Sequence, residues 1–332
     1  MFRAKISGVG HYVPENIIKN HDLEKVMNTS DAWIRERTGI EERRFFNPDK
    51  DTVANMSARA SRMAITRAGI DSKEIDFIIL ATITPDYFFP GSGVLLQREL
   101  ELENIGALDV RNACSGFIYS LSIADQFIKT GMYKNILVVG AEIQSSAMEI
   151  SDRGRAVSVI FGDGAGAVVL QRDERPDKGI LSTHLHADGR YAEELYIKDP
   201  GSSRKERLTK DMIDETGIRA HMNGNVVFKH AVVRFQEVIH EALQANGLQK
   251  TDIDLLIPHQ ANLRISNYIQ EQLGLPPEKV YNNIMRYGNT TAASIPIALS
   301  EAWAEDKIKK DDLICLAAFG SGFTWASSLI RW

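Results

Sequence analysis

Three side chains of this sequence could together form a nucleophilic centre: Cys114, His259 and Asn289, each placed where a strand-like run gives out. Cys114 lies in "LDVRNACSGFIYSLSIADQFIKTG", just ahead of a helical stripe of Phe117, Leu121, Ala124 and Ile128. That spacing puts the thiol at or near a helix N-terminus, where unpaired N–H groups and the helix dipole favour the thiolate, lower its pKa and make it a nucleophile. Ser115 and Gly116 keep the surroundings small enough for a substrate carbonyl to approach. Burial in a core is the commoner fate of a free cysteine, and position alone does not choose between the two. Cys315, inside the apolar run "LICLAAF", fits the buried role.

His259 follows the run "DIDLLIP" directly and so stands at a strand's carboxyl end, where a histidine serves either a site or a backbone hydrogen bond in a loop. Asn289, in "RYGNTTAAS", marks a second strand-to-helix turn, and there Asn is also a favoured helix cap. A thiol, an imidazole and a carboxamide with no acidic base suit acyl transfer, and the two uncharged donors can stabilise an enolate oxygen. His259 must be neutral for that role.

What positions these residues is an internal repeat. "AITRAGIDSKEIDFIIL" from Ala64 and "ALQANGLQKTDIDLLIP" from Ala242 match Gly69 with Gly247, Ile75 with Ile253 and Asp76 with Asp254, always 178 positions apart. Each copy reads as a helix closed by glycine, a short polar turn, then a strand buried on both faces. The strands "NILVVGAE" and "LICLAAFG" extend the correspondence, as do the closing segments "FGDGAGAVVLQR" and "GSGFTWASSLIRW". The first copy carries an extra piece, "IQSSAMEISDRGRAVSVI". Strands alternating with helices predict an α/β fold of duplicated βαβ units and mainly parallel sheets, with halves at 1–172 and 173–332. Ligands of such sheets sit beyond the carboxyl ends of strands, so both halves should contribute reactive residues, and the turn of Asn289 is the counterpart of the turn of Cys114. The polar segment "DPGSSRKERLTKDMIDETG" reads as a surface loop covering that site.

Composition excludes several classes. A formal charge of −5 argues against a general nucleic-acid surface. No run approaches the roughly 18 apolar residues of a membrane span, and the start of the chain has no secretory pattern, so a cytoplasmic protein is expected. Two cysteines without a C-x-x-C pair leave neither a disulfide scaffold nor a zinc motif. "FGDGAGAVV" lacks the following helix that a dinucleotide loop needs. His184 and His186 share a strand face, a weak metal pattern without a third ligand, and no metal is expected.

Taken together, "NACSGF", "PHQANLRI", "YGNTTAASIP" and "AFGSGFTW", with "TSDAWIRERTGIEERR", "DRGRAVSVIFGDGAGAVVL" and "STHLHADG", resemble β-ketoacyl-[acyl-carrier-protein] synthase III along essentially the whole chain. The resemblance implies a thiolase-like, layered αβαβα fold and a catalytic triad of Cys114, His259 and Asn289. It also implies an oxyanion hole from the amides of Cys114 and Ser321, and acyl transfer from coenzyme A followed by decarboxylative condensation with malonyl-carrier protein. By the same likeness, Thr29, Trp33, Arg37, Arg153, Gly224, Phe228 and Asn262 would bind coenzyme A. Lys229, Gln260, Ala261, Asn262, Leu263 and Arg264 would meet the carrier protein. Phe319, with Phe89 across a homodimer interface, would bound the pocket of a short acyl primer. No cofactor beyond the substrates is implied. A secondary-metabolite relative with another primer or acceptor is the alternative, suggested by the departures "RNACSGF" and Ser321; the intact triad argues against a non-enzymatic acyl-binding protein.

Overall fold

A computed structural model describes residues 2–332 except Thr216. Its two sheets follow the repeat. The first comprises β1 (Arg3–Tyr12), β2 (Phe77–Ala81), β3 (Gly106–Val110), β4 (Asn135–Glu142) and β5 (Gly164–Asp173), in the order β1-β5-β4-β2-β3. The second comprises β6 (Gly179–Ala187), β7 (Leu255–Pro258), β8 (Leu313–Gly320) and β9 (Thr324–Arg331), in the order β7-β8-β9-β6. The principal helices are α1 (Asp31–Thr38), α2 (Val53–Ala68), α3 (Gly116–Lys129), α4 (Gly224–Ala245), α5 (Leu263–Leu273) and α6 (Ser294–Ala304).

The expectation of mainly parallel sheets is corrected to mixed ones. β2 runs parallel to β3 and β4, and β7 to β8, but β5 and β9 return antiparallel beside β4 and β8. β8 turns directly into β9, and β4 reaches β5 through residues 143–163, whose one short α-helix, Arg155–Ser158, is no βαβ crossover, so both return strands lie antiparallel.

Five layers result. Met56, Ala60 and Ala64 of α2 pack on Ile78, Leu80, Val139 and Val169 of the first sheet. α3 and α6 lie between the sheets, burying Phe117, Leu121, Ala124 and Ile128 against Val138, Val168, Ile257 and Leu316. Phe235, Ile239, Ile265 and Ile269 of α4 and α5 cover the far face of the second sheet. The central cluster draws on both halves, which therefore share one core. Leu121 is fully buried there, and its truncation to alanine should cost about 2–5 kcal/mol.

The duplication extends to backbone angles. Gly69 and Gly247 close their helices at φ 69° and 65°. Asp76 accepts the Asn135 amide at 2.9 Å, and Asp254 accepts the Leu313 amide at 2.8 Å. Ala113 and Thr291, again 178 positions apart, both hold the rare positive φ, 45° and 50°. Each sits in a short 3₁₀ turn, Ala113–Ser115 or Thr291–Ala293, that feeds straight into α3 or α6.

Candidate active site

Cys114 occupies the middle of the first of these turns, with 6% of its surface exposed. Its own amide and that of Ser321 are turned towards Sγ. Gly320, the last residue of β8, makes room for it: a Cβ on Gly320 would stand 2.5 Å from Cys114 Cβ and 2.9 Å from Sγ. The expected acidification of the thiol is not found. Burial, and then the buried Glu142 carboxylate, outweigh the two amides and push the thiol up to about 12. A helix end cannot offset the loss of water around a fully enclosed sulfur. Cys315 is buried in β8 and pushed up to about 12 by burial alone, as its apolar surroundings predict.

His259 stands just beyond β7, nearly inaccessible, and burial drives its pKa down to about 3, so the imidazole is neutral. Nδ1 lies 2.6 Å from Ser294 Oγ, while Nε2 is buried without a protein partner. The Asn289 carboxamide accepts the Thr291 amide at 2.8 Å through Oδ1, which turns its nitrogen away from the backbone.

All three side chains line one cavity of about 640 Å³. Its closed end is formed by Cys114, His259, Asn289 and Phe319, all buried. Its outer end carries Trp33, Arg37, Phe228, Lys229 and Arg264. A second cavity of about 390 Å³ lies against Cys114, bounded by Ile83, Gln144, Met148, Ile197 and Ser321. Cys114, Phe161 and Leu195 line both cavities, so the thiol has a chamber on either side.

The regions 108–189 and 243–332 match the family models "3-Oxoacyl-[acyl-carrier-protein (ACP)] synthase III" and its C-terminal part. The β-ketoacyl-[acyl-carrier-protein] synthase III of Alkalilimnicola ehrlichii is 48% identical over 334 residues, covering both chains completely. The chain belongs to this family. The crystal structure of the Aquifex aeolicus synthase III superposes with a TM-score of 0.90 at 45% identity, over 99% of this chain and 100% of that one. The priming β-ketosynthase of the R1128 polyketide pathway superposes at 0.89 with 31% identity, over 99% and 96% of the two chains. The protein is thus a condensing acyltransferase with the thiolase-like fold, of the family that begins fatty-acid synthesis.

Among the residues that the family likeness puts on coenzyme A, Trp33, Arg37, Gly224, Phe228 and Asn262 line the large cavity. The Arg37 guanidinium lies 4.9 Å from the Trp33 ring centre. Arg153 does not line the cavity; it turns to Glu149 at 2.8 Å. Arg155, which the sequence reading missed, sits over Trp33 at 5.1 Å instead. Thr29 is also outside the lining, its hydroxyl buried and unpaired.

Of the carrier-protein set, Lys229, Ala261, Asn262 and Arg264 reach the cavity, with Lys229 and Arg264 exposed. Gln260 is a correction. Its side chain is buried and spent on backbone, donating to Pro258 O and accepting from the Asn283 amide, so it cannot meet a partner. Leu263 packs at the start of α5 against Gly39, beyond α1. Phe319 lies in the large cavity, not the small one, and Phe89 is 77% exposed and lines neither.

The paired histidines acquire a shared neighbour: His184 and His186 reach Glu241 at 3.3 and 2.6 Å. No group of three ligands suited to a metal is found among the described residues. Among these residues no helix is long and apolar enough to cross a membrane.

Proposed function

We propose that this synthase loads a short acyl group from acyl-CoA onto Cys114 and condenses it with malonyl-[acyl-carrier protein]. One observation carries the assignment of residues: a buried thiol, an unpaired imidazole nitrogen and an oriented carboxamide share the closed end of one cavity. In the first step Sγ attacks the thioester carbonyl, the C–S bond to coenzyme A breaks, and the thiol proton leaves with the coenzyme A sulfur. Because the thiol is neutral at rest, deprotonation accompanies attack, with the amides of Cys114 and Ser321 receiving the oxyanion. In the second step the malonyl C–C bond breaks and carbon dioxide departs. The enolate left behind is held by His259 Nε2–H and the Asn289 side-chain amide, attacks the acyl carbonyl, and expels Cys114 as a thiolate, which takes one proton from solvent to return to the neutral thiol. The thioester itself is the electron sink, so the proposed chemistry calls for no cofactor.

Trp33 with Arg37 and Arg155 would grip the nucleotide end of coenzyme A, and Lys229 with Arg264 the acidic carrier protein. The small chamber would take the acyl chain. A homodimer completes it: β3 is an edge strand with Leu108 exposed, and Tyr87, Phe88 and Phe89 form an uncovered aromatic run that a second copy would bury. The enzyme would work in the cytoplasm. Mass spectrometry after mixing with acetyl-CoA should find one acyl group on Cys114, and an acylated Cys114→Ala protein would end the nucleophile assignment. The priming ketosynthase of a polyketide pathway at 31% identity favours one second reading, a secondary-metabolism enzyme with another acyl primer or acceptor; a panel of acyl-CoA esters and acceptors decides between the two.

A further inference from the structure

Ser294, the first residue of α6, is 2% exposed and packs behind His259. Its Oγ lies 2.6 Å from His259 Nδ1 and accepts from the Gln260 amide at 3.4 Å. A hydroxyl has one proton to give. Among the described residues, Nδ1 is the one hydrogen-bond acceptor in contact with that hydroxyl, because the Gln260 amide can only donate. If Nδ1 carried the imidazole proton, two N–H groups would converge on Oγ and the hydroxyl proton of a side chain only 2% exposed would have no acceptor among the described residues. If Nε2 carries it, Ser294 accepts from Gln260, donates to Nδ1, and every polar group behind the ring is satisfied. Nε2 is then the one end without a protein partner, and His259 faces the cavity.

We infer that Ser294 is a positioning residue that fixes the tautomer of His259, so that the ring presents Nε2–H, a donor, to the oxygen that becomes negative during decarboxylation. This rests on the reading of Cys114, His259 and Asn289 given above. The contrast with an acid–histidine pair is chemical. A carboxylate can only accept, so it draws the proton to Nδ1 and leaves Nε2 as a base. A hydroxyl whose proton has no other acceptor in reach donates to Nδ1, and so leaves Nε2 as a donor. The neighbours facing the ring, Ser294, Gln260, Cys114 and Asn289, bring no carboxylate, and the amino end of α6 further disfavours an imidazolium.

Nitrogen-15 NMR of the histidine-labelled chain tests this directly, with His259 assigned from the spectrum lost in His259→Asn. A protonated Nε2 and a bare Nδ1 are expected at neutral pH; the reverse tautomer overturns the inference. Ser294→Ala should release carbon dioxide from malonyl-carrier protein about 10- to 100-fold more slowly while Cys114 acylates within a few-fold of the normal rate. Ser294→Thr, which keeps the hydroxyl, should restore decarboxylation. Ser294→Asp should move the ring proton to Nδ1 and lose decarboxylation with acylation retained. Full decarboxylation by Ser294→Ala with an unchanged tautomer would refute the role. A failure of the unaltered protein to acylate at Cys114 would instead strike the triad reading, and leave the tautomer measurement standing.

Discussion

The two halves carry the same 3₁₀ turn into a central helix, with the same strained angle at Ala113 and Thr291, yet only one of them holds a thiol. The difference lies at the end of the strand that faces each turn. In the first turn Cys114 meets Gly320 of β8, which has no side chain, and the amides of Cys114 and Ser321 look onto the sulfur and the cavity. In the second turn Ala292 stands in the cysteine's place, and the residue equivalent to Gly320 is Glu142 of β4. Its carboxylate fills the corresponding niche, accepting from Thr84 Oγ1 at 2.6 Å, from the Ile83 amide at 3.2 Å, and from the Ala292 amide. The Ile143 amide, counterpart of Ser321, donates to the Thr84 hydroxyl at 2.9 Å. One nest of amides is thus open to a passing oxyanion and the other is filled by the Glu142 carboxyl group. An open chamber opposite the turn, rather than the turn itself, makes the site. Ala81, equivalent to His259, likewise leaves the first half without its imidazole.

Removing the nucleophile tests this most severely. Cys114→Ala should lower condensation by about 10⁶-fold, or below detection. Adding Ala292→Cys should not restore acylation, because Glu142 fills the space a thioester would need; an acyl adduct at residue 292 would break the comparison. Gly320→Ala should come next. Its new Cβ would collide with Cys114 Cβ and Sγ, and displacement of the sulfur should slow acylation by roughly 10²-fold. Rapid-quench acylation at the normal rate would show that β8 yields easily.

Neutralising the internal anion should act in the opposite direction. Glu142 is itself pushed up to about 8 by burial, so it is charged throughout the range in which the Cys114 thiol ionises. Its charge raises the thiol pKa, and Glu142→Gln should lower it. Alkylation by iodoacetamide at pH 9 should therefore be about tenfold faster in Glu142→Gln than in the parent, with the midpoint moved to lower pH. An unmoved midpoint would confine Glu142 to holding Ala292.

This contrast explains what the sequence could reveal. Period, glycine punctuation and the constant offset were enough for the duplicated α/β fold, and the stripe from Phe117 to Ile128 is the buried face of α3 as read. Cys114 and His259 were legible because each follows a strand end, and strand ends converge in this topology; Asn289 follows the short helix Ile284–Tyr287 instead of the expected strand, and was legible as part of the counterpart of the Cys114 turn. The return direction of β5 and β9 was not, since a fully apolar strand looks alike in either sense. Burial is a property of the assembled layers, so the thiol's direction of shift was misread from its helix end alone. Gln260 stands between two cavity residues, and nothing in "PHQANLR" tells that its amide is used by Pro258 and Asn283. Glu142 was within reach: extending the offset to Gly320 exposes a carboxylate paired with a glycine, a mismatch that marks where the copies diverged.

The smallest effects belong to the mouth of the cavity, where the halves have least in common. Trp33 precedes the repeat, and Arg155 comes from the piece that the second half lacks, so no symmetry constrains their contact. Both cations on the Trp33 ring, Arg37 at 4.9 Å and Arg155 at 5.1 Å, hold it by the face. A cation over a half-buried indole near the surface contributes about 0.5–1 kcal/mol. Trp33→Ala removes the ring and both contacts, and should raise the KM for acetyl-CoA about 5- to 10-fold, whereas Arg155→Ala should raise it only about 2- to 3-fold. Neither residue approaches the sulfur, so kcat should stay level in both, as measured by steady-state condensation with saturating malonyl-carrier protein. A fall in kcat with KM unmoved would mean that the mouth governs the chemistry at Cys114. The separation drawn here, between a shared scaffold that sets the reactive turn and unshared additions that only capture substrate, would then fail.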